Sequence, residues 1–358
     1  MILGIMFAAG DSFRNLEKAG QDSLFKNFYV KKFSKNFNKV MIFSYANEKV
    51  KGLPKNVLVI PNKYNLHRYL YGLLMPILNF KQINECDVFR VYHLFGTLPA
   101  VISKIFFRKK YTFNYAYDYI KFAQIEEKPL QVYLLKIINF LAKHTASKIF
   151  VANKTLEANI KVKNKVFLPN GVDTNTFKKS KTTKNKITKI LSVGRLEKQK
   201  NYQMLIDALE GLNVKLVIVG SGSLKRDLEN QSKLRQVSLT IIDKIPHARI
   251  NNIYQLADIF VLPSLIEGSP KALFEAMASE KAVLGSDVEG MNDIINNGQN
   301  GILVKQNVKS LKLGLTRLLK SRSLRQKLAK NARKYILENY DLSTLIKKEI
   351  LELKSIYE

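Results

Sequence analysis

The chain has 358 residues, 46% of them hydrophobic and 25% charged, which supports two ordinary domains with their own cores and excludes disordered or fibrous classes. Its charge is the outlier: 59 Lys+Arg against 29 Asp+Glu, a formal net charge of +30, attracts polyanions such as nucleic acid, an anionic membrane surface or phosphorylated substrates. The single cysteine, Cys86, excludes an internal disulfide and a metal site built on cysteines.

Lysine outnumbers arginine 47 to 12, the bias of an AT-rich genome, so part of the excess has no functional cause. The excess is also spread over both halves of the chain, unlike the basic stripe of a dedicated nucleic-acid module. The opening MILGIMFAAG lacks the basic n-region of a signal peptide. The most apolar stretches, 69–80 and 130–142, are interrupted by Pro76 and Lys136, too soon to span a bilayer. These features predict a soluble cytoplasmic protein, with peripheral association at the inner face of the plasma membrane.

Short apolar runs then alternate with segments of helical period, the signature of a parallel α/β sheet. Strands are predicted at 2–8, 40–45, 57–60, 88–92, 111–114 and 148–151, with helices near 21–36, 65–82, 97–107 and 129–144. The rhythm restarts with strands at 187–193, 214–219, 239–242, 259–262, 282–284 and 301–304. Helices there fall near 201–211, 223–235, 250–256, 270–279 and 291–297, and 307–357 reads as helical throughout. Between the rhythms, Thr174 to Lys189 holds six lysines and no acid, as a linker would. The expected organisation is an α/β domain at 1–170, a linker at 171–189, a second α/β domain at 190–339 and a final helix at 340–358 crossing back to the first. Ligands in such folds bind beyond the carboxyl ends of the strands, so two Rossmann-like domains facing across a cleft should carry their chemistry there.

Three segments sit at such strand ends. In Gly194-Arg195-Leu196-Glu197-Lys198-Gln199-Lys200 the glycine allows a close backbone approach, and Arg195 and Lys200 can reach one oxyanion. Gly220-Ser221-Gly222-Ser223 is a glycine turn between strand and helix, a weaker phosphate signal. The strongest runs from Leu262 to Met277. Ser269 and Pro270 read as N-cap and first helical residue, with the free N–H groups of 269–272 suiting an anion. This places Glu267 in the loop and Glu275 eight residues later in the helix. Carboxylates beside an anion site repel phosphate, so the pair is read as accepting hydrogen bonds from hydroxyls, a sugar on one side and a ribose on the other.

Taken together, GRLEKQKN, VGSGS and ADIFVLPSLIEGSPKALFEAMA resemble the family-4 retaining glycosyltransferases of the GT-B fold, and Glu267 with Glu275 looks like their E-x7-E signature. PNGVD at 169–173 and NGILV at 300–304 match as well. The resemblance is dense over 165–305 and only in outline before it. It implies transfer of a sugar from a nucleoside-diphosphate sugar, with retention and without a metal or other cofactor, to a glycan or lipid-linked acceptor in polysaccharide biosynthesis. By the same resemblance Arg195 and Lys200 hold the diphosphate beside Gly194, and Ser269, Pro270, Lys271 and Ala272 supply the helix terminus. Glu275 holds the ribose, Glu267 contacts the donor sugar, and the backbone near Ile245 meets the base.

In the first domain, His93 resembles the family histidine that faces the donor sugar. Tyr117 and Asp118 stand where relatives have a His-Asp pair, with tyrosine in place of histidine. The Gly10, Asp11 and Gly20 region corresponds to an acceptor loop, although a long polar insert replaces its double glycine. No Asp-x-Asp metal motif occurs. A sugar-nucleotide epimerase or phosphorylase on the same fold, and a non-catalytic basic polyanion-binding protein, stay open as alternatives; binding to a specific nucleic acid is not expected.

Overall fold

A computed structural model describes residues 1–116, 118–125, 129–179, 187–243, 245 and 247–357. They form two compact units, Met1–Pro169 with Leu345–Glu358, and Asn170–Thr344.

The first unit holds β1 (Ile2–Met6), β2 (Lys39–Phe43), β3 (Val57–Ile60), β4 (Val88–Val91), β5 (Lys110–Tyr115), β6 (Lys148–Val151) and β7 (Lys165–Phe167). They pair in the order β3-β2-β1-β4-β5-β6-β7, every pair parallel. The second unit holds β8 (Thr188–Val193), β9 (Val214–Val219), β10 (Ser238–Ile242), β11 (Ile259–Leu262), β12 (Ala282–Ser286) and β13 (Ile302–Val304), in the order β10-β9-β8-β11-β12-β13, again all parallel. Parallel strands covered by helices on both faces read as unbroken apolar runs. Accordingly β4, β11 and β12 are buried at every position. The edge strand β7 is three residues long and half-buried, too short and too mixed to stand out in the sequence.

Several helices depart from the expected pattern. The predicted 65–82 helix is two helices, Arg68–Leu78 and Phe80–Glu85, meeting at Asn79. The 21–36 helix passes through a π-helical stretch at Phe25–Val30. Residues 291–297 form successive turns instead of a helix. Met291, Ile294 and Ile295 are buried there, with Met291 N–H bonded to the Val288 carbonyl and Ile294 N–H to that of Met291. Spacings of three residues serve a chain of turns as well as a helix, so periodicity alone does not separate the two.

The polar insert between Gly10 and Gly20 contains a helix, Phe13–Lys18, capped by the Ser12 hydroxyl. The buried Glu48 carboxylate accepts from the N–H groups of Phe13 and Arg14 and holds its start. The early part of the expected linker is folded into the second unit. Val172 pairs with Asp341, and Phe177, 1% exposed, packs edge-on against Tyr254. Residues 180–186 lie outside the described ones.

The final Leu342–Tyr357 helix ends in the first unit. Ile346, Ile350 and Leu353 are buried, and Lys148 Nζ donates to Glu352 at 2.5 Å and to Ser355 at 2.7 Å. Its main anchor is an ion pair between Arg90 on the central strand β4 and Glu349, with side chains 1% and 4% exposed. The Arg90 guanidinium lies 4.3 Å from the Tyr92 ring centroid and 5.3 Å from that of Phe150. Breaking such a pair from one side strands a charge in low dielectric, at a cost of about 3–5 kcal/mol, whereas an apolar pair of similar volume is nearly neutral. Glu349→Ala should therefore lower the urea midpoint of the first unit sharply, and Arg90→Met with Glu349→Leu should recover most of the loss.

Candidate active site

Strand order reverses in both sheets, between β1 and β4 and between β8 and β11. At each reversal two adjacent parallel strands send their following loops apart, which opens a crevice at their carboxyl ends. In the second unit these loops are 194–200 after β8 and 263–268 after β11.

Lys200 and Glu267 meet there. Lys200 Nζ donates to Glu267 Oε1 at 2.5 Å, with side chains 15% and 7% exposed, across 67 residues of sequence. The buried Ser264 hydroxyl donates to the same oxygen at 2.6 Å. Backbone ties hold the loops together as well. Leu265 N–H donates to the Gln199 carbonyl at 2.8 Å, and the Gln199 side-chain amide to the Ile266 carbonyl at 2.9 Å. Gln306 reinforces the far side by donating to the carbonyls of Ser264 and Leu265.

Two glycines make the packing possible. A Cβ on Gly220 would lie 1.9 Å from the Gly194 carbonyl oxygen, and one on Gly290, at φ +81°, would lie 2.3 Å from that of Glu267. No side chain fits either place. The glycine turn after β9 therefore has a packing role beneath Gly194, beyond the phosphate role read from sequence.

The two cations are not equivalent. Arg195 is exposed, and its guanidinium has no acceptor among the described residues. Lys200 keeps one donor on Glu267 and has two left for a ligand. An anion reaching this point meets a free planar fork and a lysine whose charge is already partly balanced.

Ser269 and Pro270 differ from expectation. The helix spans Lys271–Ala278, with Pro270 at its N-cap position at φ −77°, ψ 88° and no side-chain cap. That ψ lies outside the helical well, so Pro270 contributes only its carbonyl, which accepts from Leu273 and Phe274. The Ser269 hydroxyl is buried and has no partner among the described residues. The N–H groups of Lys271 and Ala272 start the helix without intrahelical acceptors. One helical turn on, Glu275 Oε2 accepts from the buried Tyr254 hydroxyl at 2.8 Å, and that hydroxyl also lies 3.2 Å from the Ala272 carbonyl. Ile245 packs its side chain against the core of this unit.

The sequence reading missed Ser264, Gln306 and Tyr254. Ser264 lies inside the strongest motif but reads there as an ordinary loop serine, and Tyr254 reads as one more apolar position of a helix.

In the first unit, His93 follows β4 and Gly10 and Asp11 follow β1, at the matching reversal. His93 stacks edge-on against Tyr119, centroids 4.7 Å apart, and face-on against Phe95 at 5.8 Å. Burial lowers its pKa from 6.5 to about 4. Asp11 is also partly buried, and desolvation raises its carboxyl above the usual range against a hydrogen bond from Asn15. Asp118 Oδ1 accepts from Ile120 N–H at the start of a helix, so one of its oxygens serves local structure. Gly20 closes the far end of the Phe13–Lys18 helix from Gly10, so the two glycines do not share one point. Tyr117 lies outside the described residues.

The imidazole of His93 is thus neutral at pH 7. The unfolded chain binds a proton near pH 6.5 and the folded one only near 4, so this contribution to stability is full above 6.5 and is lost as pH falls from 6.5 towards 4. Urea midpoints measured across that window should decline less steeply for His93→Gln than for the natural chain.

Residues 173–335 match the family described as Glycosyl transferases group 1. An uncharacterised glycosyltransferase of Methanocaldococcus jannaschii is 34% identical over 169 residues, 45% of this chain and 43% of that one. The putative teichuronic acid biosynthesis glycosyltransferase TuaC of Bacillus subtilis is 30% identical over 162 residues, 42% and 40% of the two chains. The UDP-Gal:alpha-D-GlcNAc-diphosphoundecaprenol alpha-1,3-galactosyltransferase of Escherichia coli is 30% identical over 248 residues, 61% of each. The chain thus spans less than half the length of the first two of these relatives. Among solved structures, sucrose-phosphate synthase of Thermosynechococcus elongatus superposes with a TM-score of 0.84 at 16% identity, covering 100% of this chain and 99% of that one. Anabaena HepE in complex with UDP and glucose gives 0.75 at 17%, covering 99% of each. At such identities the structures establish the fold, a GT-B pair of parallel-sheet domains, while the sequence of 173–335, within the second unit, matches the group 1 glycosyl transferases.

Proposed function

We propose that the chain is a retaining glycosyltransferase, moving a hexose from a nucleoside-diphosphate sugar to a hydroxyl of a lipid-linked or cell-surface glycan at an anionic membrane surface. The observation that carries this is the assembly at the β8–β11 reversal. Arg195, the Lys200–Glu267 pair and the open N-terminus of the Lys271–Ala278 helix lie in the segment matched to group 1 glycosyl transferases. The printed names of the relatives, a diphosphoundecaprenol galactosyltransferase and a Staphylococcus aureus capsular polysaccharide enzyme among them, support the acceptor class.

In this reading the departing diphosphate gains negative charge as the glycosidic bond breaks. Arg195 meets that charge with a bidentate fork, Lys200 with its free donors, and the helix with its first N–H groups. These groups are set before the reaction, so they stabilise the charge without reorganising. Glu275, oriented by Tyr254, accepts from ribose hydroxyls, and Glu267 offers its second oxygen to the donor sugar. The acceptor hydroxyl attacks the anomeric carbon on the face the diphosphate leaves. Its proton passes to the departing phosphate oxygen, so retention needs no separate base.

Release of nucleoside diphosphate from a panel of sugar nucleotides, coupled to gain of a hexose by the acceptor, tests the reading directly. Arg195→Ala should lower kcat by roughly 100- to 1000-fold, about 2.7–4 kcal/mol, with little change in acceptor KM. Lys198→Ala, an exposed neighbour in the same loop, should leave kcat near that of the natural chain; an equal loss would make the effect general electrostatics. Lys200→Ala should lower both activity and stability, since it leaves the Glu267 carboxylate buried without its cation, whereas Arg195→Ala should keep the natural unfolding midpoint.

The chain has no Asp-x-Asp motif, so cations of the protein neutralise the diphosphate in this mechanism. Turnover measured in excess EDTA should equal turnover without it; restoration by added manganese or magnesium would overturn that part of the mechanism.

A further inference from the structure

The first unit carries an apolar and basic surface that the reaction does not use. Three helices, Arg68–Leu78, Thr97–Phe107 and Pro129–Thr145, lie side by side, the second packed against both others. Their inner residues, among them Tyr71, Met75, Ala100 and Leu135, are core. Their outer residues are largely apolar. The helices are 11, 11 and 17 residues long, yet they carry eleven of the 23 large exposed hydrophobic residues among those described. Ile77 is 62% exposed, Phe106 72% and Leu130 73%. A concentration of this kind marks an interaction surface, since scattered single residues are the ordinary case.

The charge on the same helices has one sign. None contains an acidic residue, while Arg68, Lys104 and Lys136 stand on the first, second and third helix, and the third also carries Lys143, whose Nζ lies over the Tyr115 ring. None of Arg68, Lys104 and Lys136 has a carboxylate partner among the described residues, and Arg68 instead lies over the Tyr69 ring at 4.9 Å. We propose that this three-helix face docks on an anionic phospholipid surface. Apolar side chains enter the acyl boundary while the cations reach the phosphates beside them, a combination that a bilayer interface accepts. A second copy of the chain fits less well. An isologous contact would set the same cations against one another, with no acid on the three helices themselves to separate them. Nucleic acid would engage the cations but leave the leucines and isoleucines in water.

The face also adjoins the loop after β1. A Cβ on Gly10 would lie 2.9 Å from Arg68 Cδ, so the start of the first of these helices touches the Gly10–Asp11 turn that the family resemblance assigns to the acceptor. An acceptor anchored in the same bilayer would arrive at that turn. This last step rests on the lipid-linked acceptor proposed above, whereas docking is measured without turnover.

Co-sedimentation with vesicles of phosphatidylglycerol and phosphatidylcholine, and with phosphatidylcholine alone, provides the measurement. The natural chain should bind the anionic vesicles preferentially, and added salt should weaken that binding. Lys104→Glu with Lys136→Glu should weaken it by at least roughly 30-fold, the loss expected for two basic contacts at such a surface. Ile77→Ser, Phe106→Ser and Leu130→Ser together should weaken it as well, at unchanged net charge. Lys327→Glu with Lys330→Glu, exposed on a helix of the second unit, makes the same charge change away from the face and should retain most of the binding. Release of nucleoside diphosphate from the donor without acceptor confirms that each variant is folded.

If the control falls as far as the face variants, this surface is wrong while membrane association stands. If the natural chain binds no anionic vesicle, membrane association and this surface fail together, and soluble-acceptor transfer is judged separately. If the face variants shift the mass in solution from dimer to monomer with vesicle binding intact, the occupant is a second copy and the proposal is overturned.

Discussion

Reversal of strand order between β8 and β11 is the constraint on which the candidate active site depends. The loops that follow these two neighbouring strands diverge and flank one crevice at the carboxyl ends. This brings Lys200 to Glu267 although 67 residues separate them. It also explains why glycine is needed at positions 220 and 290, where other strand-end turns press on the backbone of those two loops. The same topological event between β1 and β4 brings the His93 region beside the turn that carries Gly10 and Asp11. There the Gly96 Cβ position lies 2.3 Å from the Phe7 carbonyl oxygen.

The use of acids is equally constrained. With about two bases for every acid, most cations have no carboxylate to pair with. The chain nevertheless buries Glu267 against Lys200 and Glu349 against Arg90. A buried pair is weak evidence of net stabilisation, because desolvation offsets much of the attraction. It is strong evidence of position, since neither charge tolerates separation from the other. The Glu267 pair holds two loops in register and leaves Arg195 without an acceptor among the described residues, while the Glu349 pair seats the last helix on a central strand. The unpaired excess remains on the surface, where it favours anionic partners.

Much of the architecture was legible in the sequence. Val214–Val219, Ile259–Leu262 and the other central strands are β-branched and apolar runs of strand length bounded by glycine, polar or charged residues, and such runs have few other uses. The positions of the motif residues were legible for the same reason: Arg195, Lys200 and Glu267 lie in the loops after β8 and β11, and Glu275 lies within the helix that follows β11. Local signals failed where they were degenerate. Met291, Ile294 and Ile295 have helical spacing but serve consecutive turns, and Phe177 reads as part of a lysine-rich linker although its ring is buried in the second unit.

By itself, then, the sequence determined the alternation of strands and helices, the two repeats of that alternation, and which residue types stand at the strand ends. Those follow from properties of neighbouring residues: apolar period, capping chemistry and the conformational freedom of glycine. Only the tertiary structure decided that Glu267 is held by Lys200 and Ser264 while Arg195 has no acceptor among the described residues, that Tyr254 orients Glu275, and that Arg90 faces Glu349. It also decided that the outer sides of three first-unit helices remain apolar. Each of these is a relation between residues distant in the chain, and such partners are chosen by strand order and packing, which no local pattern records.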